Sequence, residues 1–109
     1  WTDRMPERMM AAHLLISKAG GATVQEALAA LTPMIITEVL PGQEEGNARL
    51  LLENRGGAQV GTPEEIAAAV GNAIANGGAQ WHEWQGNLQR LSRPAAAHAA
   101  AECLLSLTP

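Results

Sequence analysis

Phenylalanine and tyrosine are absent from this chain, and its only aromatic side chains are three tryptophans. The core must therefore be built from Leu, Ile, Val, Met and abundant Ala. A single cysteine, Cys103, excludes an internal disulfide and fits a reducing compartment; on the apolar side of the last expected helix it is expected to fill core space. No block of basic residues occurs. Seven Lys and Arg stand against eleven Asp and Glu, a net charge of −4 with the signs mixed along the chain. Nucleic acid is therefore not expected as a partner. Neither a signal-peptide pattern nor an apolar run long enough for a bilayer is apparent, so a cytoplasmic location is expected. His13, His82 and His98 are scattered without metal-ligand spacing, so no metal site is expected.

What is present alternates. With 109 residues, the chain suits one small domain. It opens Trp1-Thr2-Asp3-Arg4-Met5-Pro6 without an initiator methionine, and is expected to be a segment of a longer protein. Thr2 or Asp3 is placed to cap a short helix over 5–12, with Pro6 in its first turn. A strand is expected over 13–17, a helix over 23–31, and a second strand over 33–39, begun by Pro33. A helix over 44–54 follows, stopping at Arg55-Gly56-Gly57, then a short strand over 58–61. Thr62-Pro63-Glu64-Glu65 is a strong helix start, with Thr at the N-cap, Pro at N1 and Glu at N3. Ile66, Val70, Ala73 and Ile74 form the expected buried stripe of that helix, which runs to Asn76-Gly77-Gly78. Two more helices, 79–91 and 94–107, complete the chain. The alternation predicts the α/β class: about three strands of a Rossmann-like, doubly wound parallel sheet with a helical C-terminal tail.

Two segments carry chemistry. Lys18-Ala19-Gly20-Gly21-Ala22-Thr23 follows the first strand and opens a helix. Paired glycines let a ligand approach the backbone, and the free amides and dipole of a first helical turn favour an anion such as phosphate. The spacing is neither GxGxxG nor a P-loop, and Thr23 with Glu26 also matches a capping box that needs no ligand. The second segment, Pro41-Gly42-Gln43-Glu44-Glu45-Gly46-Asn47, follows the second strand. Ligands of open α/β sheets sit at the carboxyl ends of strands, so both segments belong to one rim. Gln43, Glu44 and Asn47 are suited to reading hydroxyls, although an acidic helix start alone explains Glu44 and Glu45.

On these residues the chain resembles the C-terminal half-domain of GT-B glycosyltransferases, within the group of monogalactosyldiacylglycerol synthases and bacterial diacylglycerol glucosyltransferases. The matching stretches are Gly20 to Thr23 with Glu26, Ala27 and Leu28, then Pro33, then Pro41 to Ala48, with Trp1 to Pro6 similar to the lead-in. Together they span roughly residues 1–61. The resemblance implies a UDP-hexose donor site in residues 1–109, with a lipid such as diacylglycerol as acceptor. Gly20, Gly21, Ala22 and Thr23 would hold the diphosphate and Glu26 the ribose hydroxyls. Gln43 and Glu44 would contact the hexose, and Asn47 would support their loop. Met5 and Lys18 would neighbour the base and the phosphates. A site built on amides and a helix dipole requires no metal or other cofactor.

The resemblance also implies that the acceptor domain and the general base lie in a preceding N-terminal domain, so that residues 1–109 alone are inactive. Contact with the membrane would be peripheral, through the longer protein. The edge of strand 13–17 is expected to pair with earlier strands or to self-associate. Two other readings stand beside this one. The Trp81/Trp84/Leu88/Leu91 stripe suits a non-catalytic interaction module, and a GT-B-related UDP-sugar epimerase would share the nucleotide site.

Overall fold

Short apolar runs separated by helical patterns lead to parallel pairing, because each strand needs a crossover before the next can run the same way. The computed structural model describes residues 1–108; Pro109, the last residue of the expected domain, lies outside the described residues. The elements are α1 (Met5–Ala11), β1 (Leu15–Ser17), α2 (Gly21–Ala30), β2 (Met34–Ile36), α3 (Glu45–Glu53), β3 (Gly57–Gln59), α4 (Pro63–Leu91) and α5 (Ala96–Ser106). The strands form one parallel sheet in the order β1-β2-β3. The α/β class, the three strands and the helical tail agree with the sequence.

Met34, Ile35 and Ile36 of the central strand are fully buried, the continuous apolar run expected of a parallel strand covered on both faces. Val24, Ala27 and Leu28 of α2 and Ala48 and Leu51 of α3 complete the core with Leu88 of α4. Each regular strand is only three residues long, shorter than the segment the sequence suggests for it. Single backbone bonds extend the pairing beyond them: Leu15 N donates to Pro33 O, Thr37 N to Ser17 O and Val60 N to Ile36 O. The third strand is 57–59 rather than 58–61, in register with Met34, Ile35 and Ile36.

Helix starts divide into capped and uncapped. Thr62 and Glu65 make the expected capping box, with Glu65 N donating to Thr62 Oγ1 at 3.2 Å and Thr62 N to Glu65 Oε2 at 3.1 Å. The alternative box, Thr23 with Glu26, is absent. α2 begins at Gly21 with Gly20 as N-cap and no side-chain cap, which puts Thr23 inside the first turn and Glu26 beyond it. Extended backbone at Gly20 starts the helix two residues early, leaving its first amides without a side-chain partner. At α1 the N-cap is Arg4, not Thr2 or Asp3, and no side chain caps it; Thr2 Oγ1 instead accepts from Arg4 N at 3.1 Å.

α4 is two helical pieces. Ala75 is extended, and Asn76, Gly77 and Gly78 all take positive φ, which glycine adopts without strain. The first piece lies shallow. Of the expected stripe only Ala73 is buried, and Ile74 is 60% exposed because the break redirects the chain directly after it. The second piece is anchored. Trp84 and Leu88 are buried, Asn87 Nδ2 donates to Arg55 O at 2.8 Å, and Trp81 Nε1 donates to His13 O at 2.6 Å. His13 and Arg55 lie just before β1 and β3, so this piece closes the amino ends of the strands. The tryptophan stripe is thus a core face rather than a docking surface.

α5 contributes no buried residue, and Cys103 is exposed, so it does not fill core space as expected. The molecule is long, 57 × 32 × 31 Å. Its radius of gyration is 15.3 Å, against about 13 Å for a compact domain of this size. Among the described residues no helix is long and apolar enough to cross a membrane.

One glycine is dictated by packing. A Cβ at Gly57 would lie inside the contact distance of the Met34 carbonyl oxygen, which is backbone and cannot move aside. Gly57→Ala is expected to destabilise the fold by about 3 kcal/mol or more, the upper end of overpacking costs. Urea unfolding followed by circular dichroism measures this, and a midpoint unchanged from wild type would contradict it.

Candidate functional site

Because β1 and β2 are parallel, the chain leaves both on the same rim, and the two chemical segments of the sequence meet there. The loop after β1 is tied to the loop after β2 by Ala19 N donating to Glu38 O at 3.0 Å. Asn47 Nδ2, from the first turns of α3, donates to Ala19 O at 3.1 Å. Lys18 Nζ forms an ion pair with Glu44 Oε1. The other carboxylate oxygen of Glu44 accepts from Leu40 N at 2.9 Å.

The partners of that ion pair differ in burial. The Glu44 side chain is 6% exposed and that of Lys18 is 49% exposed. The Lys18 ammonium, and after it the Leu40 amide, hold the Glu44 carboxyl below the usual glutamate range. Glu45 is held below it by the Gly42 amide, which donates to Glu45 Oε1 at 2.6 Å.

Gly20 and Gly21 occupy conformations open to any residue: neither has a positive φ. Nor does packing demand them. A Cβ at Gly20 would meet Lys18 Nζ at 3.4 Å and Thr23 Oγ1 at 3.5 Å, and one at Gly21 would meet only Asn47 Nδ2 at 3.6 Å. What the two glycines provide is bare backbone in front of the uncapped amides of Gly21, Ala22 and Thr23. Uncapped first-turn amides and an ammonium are the kinds of group that favour an anion. Glu44 and Asn47 beside them offer the acceptor and donor that read hydroxyls.

The structure thus brings Lys18, Gly20, Gly21, Thr23, Glu44 and Asn47 together, with Ala22 exposed in the same helical turn. Gln43 is exposed in the turn before α3. Glu26 lies apart, on the α1 side of α2, where it lines a groove of ≈ 260 Å³ with Pro6, Met9, Met10 and Ala29. Met5 opens onto a different hollow, beside Trp1, Thr2 and Arg8. Pro6 and Met10 were therefore missed as neighbours of Glu26, although their i, i+4 spacing was a usable signal. A shallow hollow of ≈ 380 Å³ beyond the second loop is bordered by Pro41, Glu45, Arg49 and Gln59. Nothing in the sequence pattern marked Arg49 or Gln59. No histidine reaches the rim. His13 and His82 flank Trp81 at ring distances of 5.6 and 4.8 Å at the other end of the sheet, and His98 pairs with Glu102 on α5.

The depressed carboxyl of Glu44 gives a signed pH dependence. Its contribution to stability is fully present above the unfolded glutamate pKa of about 4.3 and is lost as pH falls through the lower folded value. Wild type should be more stable than Glu44→Gln at neutral pH, and thermal unfolding should show this difference closing below about pH 4. A difference that widens on acidification would contradict this assignment.

The model of the glycosyltransferase family 28 C-terminal domain matches residues 1–76, which hold the whole rim site. The chain is 33% identical over 93 residues to chloroplastic monogalactosyldiacylglycerol synthase 3 of Arabidopsis thaliana, covering 85% of this chain and 20% of that protein. Against the chloroplastic monogalactosyldiacylglycerol synthase of Spinacia oleracea it is 32% identical over 108 residues, 98% of this chain and 19% of the relative. Against the processive diacylglycerol beta-glucosyltransferase of Staphylococcus carnosus it is 42% identical over 70 residues, 64% of this chain and 18% of the relative. The chain therefore spans about a fifth of the length of these relatives. By the match over its sheet and rim loops, this chain belongs to the glycosyltransferase family 28 C-terminal domain family.

Proposed function

We propose that this chain is the UDP-hexose-binding part of a glycosyltransferase that transfers a hexosyl group to a lipid acceptor such as diacylglycerol. One observation carries the reading. Two glycines that neither backbone conformation nor packing requires stand before uncapped helix amides, with Lys18, Glu44 and Asn47 converging on them. The diphosphate would lie on the amides of Gly21, Ala22 and Thr23 beside Lys18, and this donor set needs no metal. Glu44 and Gln43 would face the hexose, with Asn47 holding the loop. Glu26, in the groove with Pro6 and Met10, would accept from the ribose hydroxyls, and the base would lie towards α1 and Met5. The names of the relatives, monogalactosyldiacylglycerol synthase and diacylglycerol glucosyltransferase, support the acceptor class.

No residue here is assigned as the general base, because the three histidines lie away from the rim. Residues 1–109 alone are accordingly expected to give no hexosyl transfer, and the acceptor and membrane contacts would come from a longer polypeptide acting at the cytoplasmic membrane surface. The outer edge of β1, where Ile16 is 49% exposed, would take a further strand of that polypeptide or of a second copy.

Isothermal titration tests the diphosphate site. Gly21→Val should abolish UDP binding by blocking approach to the amides, while circular dichroism shows helicity nearly unchanged. Normal UDP binding by the intact variant would refute the assignment.

A second substitution tests the ribose contact. Glu26 is exposed and does not cap α2, so Glu26→Gln should change stability by less than about 0.5 kcal/mol. UDP affinity should fall by about 1–3 kcal/mol with loss of the charged acceptor. Unchanged affinity would remove Glu26 from the site.

A further inference from the structure

The Lys18–Glu44 pair occupies the rim in a way that bears on release of the spent donor. Lys18 Nζ sits over the Gly20 turn, 3.4 Å from where a Cβ would be, with Glu44 Oε1 3.9 Å from the same point. An anion on the uncapped amides of α2 would meet the ammonium there, in competition with the Glu44 carboxylate. The two partners are not equally free to respond. Lys18 is half exposed on a flexible stem, whereas Glu44 is nine-tenths buried and fixed through Oε2 to Leu40 N. The ammonium can move to the anion while Glu44 stays. Oε1 is then a buried charged acceptor without a partner, a costly state unless a donor replaces the ammonium. A hexose hydroxyl attached to the diphosphate is such a donor; the only hydroxyls of UDP are on its ribose, at the other end of the diphosphate.

We infer that Lys18 and Glu44 form an exchange pair that makes the site favour UDP-hexose over UDP. With the intact donor, Lys18 turns to the diphosphate and a hexose hydroxyl takes its place on Glu44. Once the hexosyl group has left, Glu44 draws Lys18 back and weakens the hold on UDP. This inference rests on the UDP-hexose reading above and adds to it a role for the pair in product release. It makes Lys18 and Glu44 positioning residues, which touch donor groups and one another in turn.

The test is titration of UDP, UDP-galactose and UDP-glucose into the native polypeptide in full, with wild type compared to Glu44→Gln. The neutral amide keeps an oxygen for Leu40 N but releases Lys18. Affinity for bare UDP should therefore rise about three- to tenfold. The preference for the better UDP-hexose over UDP should fall by about tenfold or more. A residue that only contacts hexose would leave UDP affinity unchanged, and one that only holds the loop would lower it; either result overturns the exchange. Wild-type protein supplies a second measurement that does not depend on the variant folding. UDP should bind more tightly in concentrated free galactose or glucose than in an equal concentration of glycerol. Equal affinity in sugar and glycerol overturns the exchange while leaving the donor site intact. Failure of wild type to bind UDP at all overturns the donor site itself, and the exchange with it.

Discussion

Parallel pairing on both sides of β2 is the constraint on which the rest of this molecule depends. Its three buried residues register with Leu15 to Ser17 on one side and Gly57 to Gln59 on the other. Parallel direction forces every connection to cross over, so α2 and α3 cover the sheet and their N-termini gather where the strands end. The same pairing demands bare backbone at Gly57. Every contact of the rim site, from Ala19 to Glu38 and from Asn47 to Ala19, is a consequence of two strands leaving the sheet side by side.

The two ends of the sheet have been put to different uses. At the amino ends, Trp81, Trp84, Asn87 and Leu88 bind α4 to the segments before β1 and β3 through side chains buried or bonded to backbone carbonyls. That end is closed by packing. At the carboxyl ends of β1 and β2 the helix starts are left without side-chain caps, glycines take the place of side chains before α2, and a buried carboxylate is balanced by one half-exposed lysine. Local rules of helix capping are satisfied at Thr62 and set aside at Gly20. Departures from local rules of this kind concentrate at functional surfaces rather than in parts of a fold that only need to be stable.

Much of this was legible in the sequence. Hydrophobic alternation gave the order of helices and strands, the Thr62–Glu65 signature gave a capping box, and the resemblance around Gly20 and Gln43 gave the family. The misreadings share a cause. Thr23 with Glu26 fits a capping box as well as Thr62 with Glu65 does, but which residue caps is settled by where the chain leaves β1. Periodicity marked Ile74 and Cys103 as buried, because a helical pattern reports a face and not whether anything covers it. That Pro6 and Met10, rather than Met5, share a groove with Glu26 was likewise beyond the pattern, since a few degrees of helix rotation decide which side of α1 faces α2.

By itself the sequence determined the α/β class, the parallel sheet and the two polar segments, because these follow from local periodicity, turn residues and the rule that strand ends carry ligand loops. Only the tertiary structure decided how those segments engage. Lys18 and Glu44 are 26 residues apart along the chain, and no spacing rule pairs them. Their ion pair exists because parallel strands deliver both loops to one rim, where burial of one charge makes it seek the other.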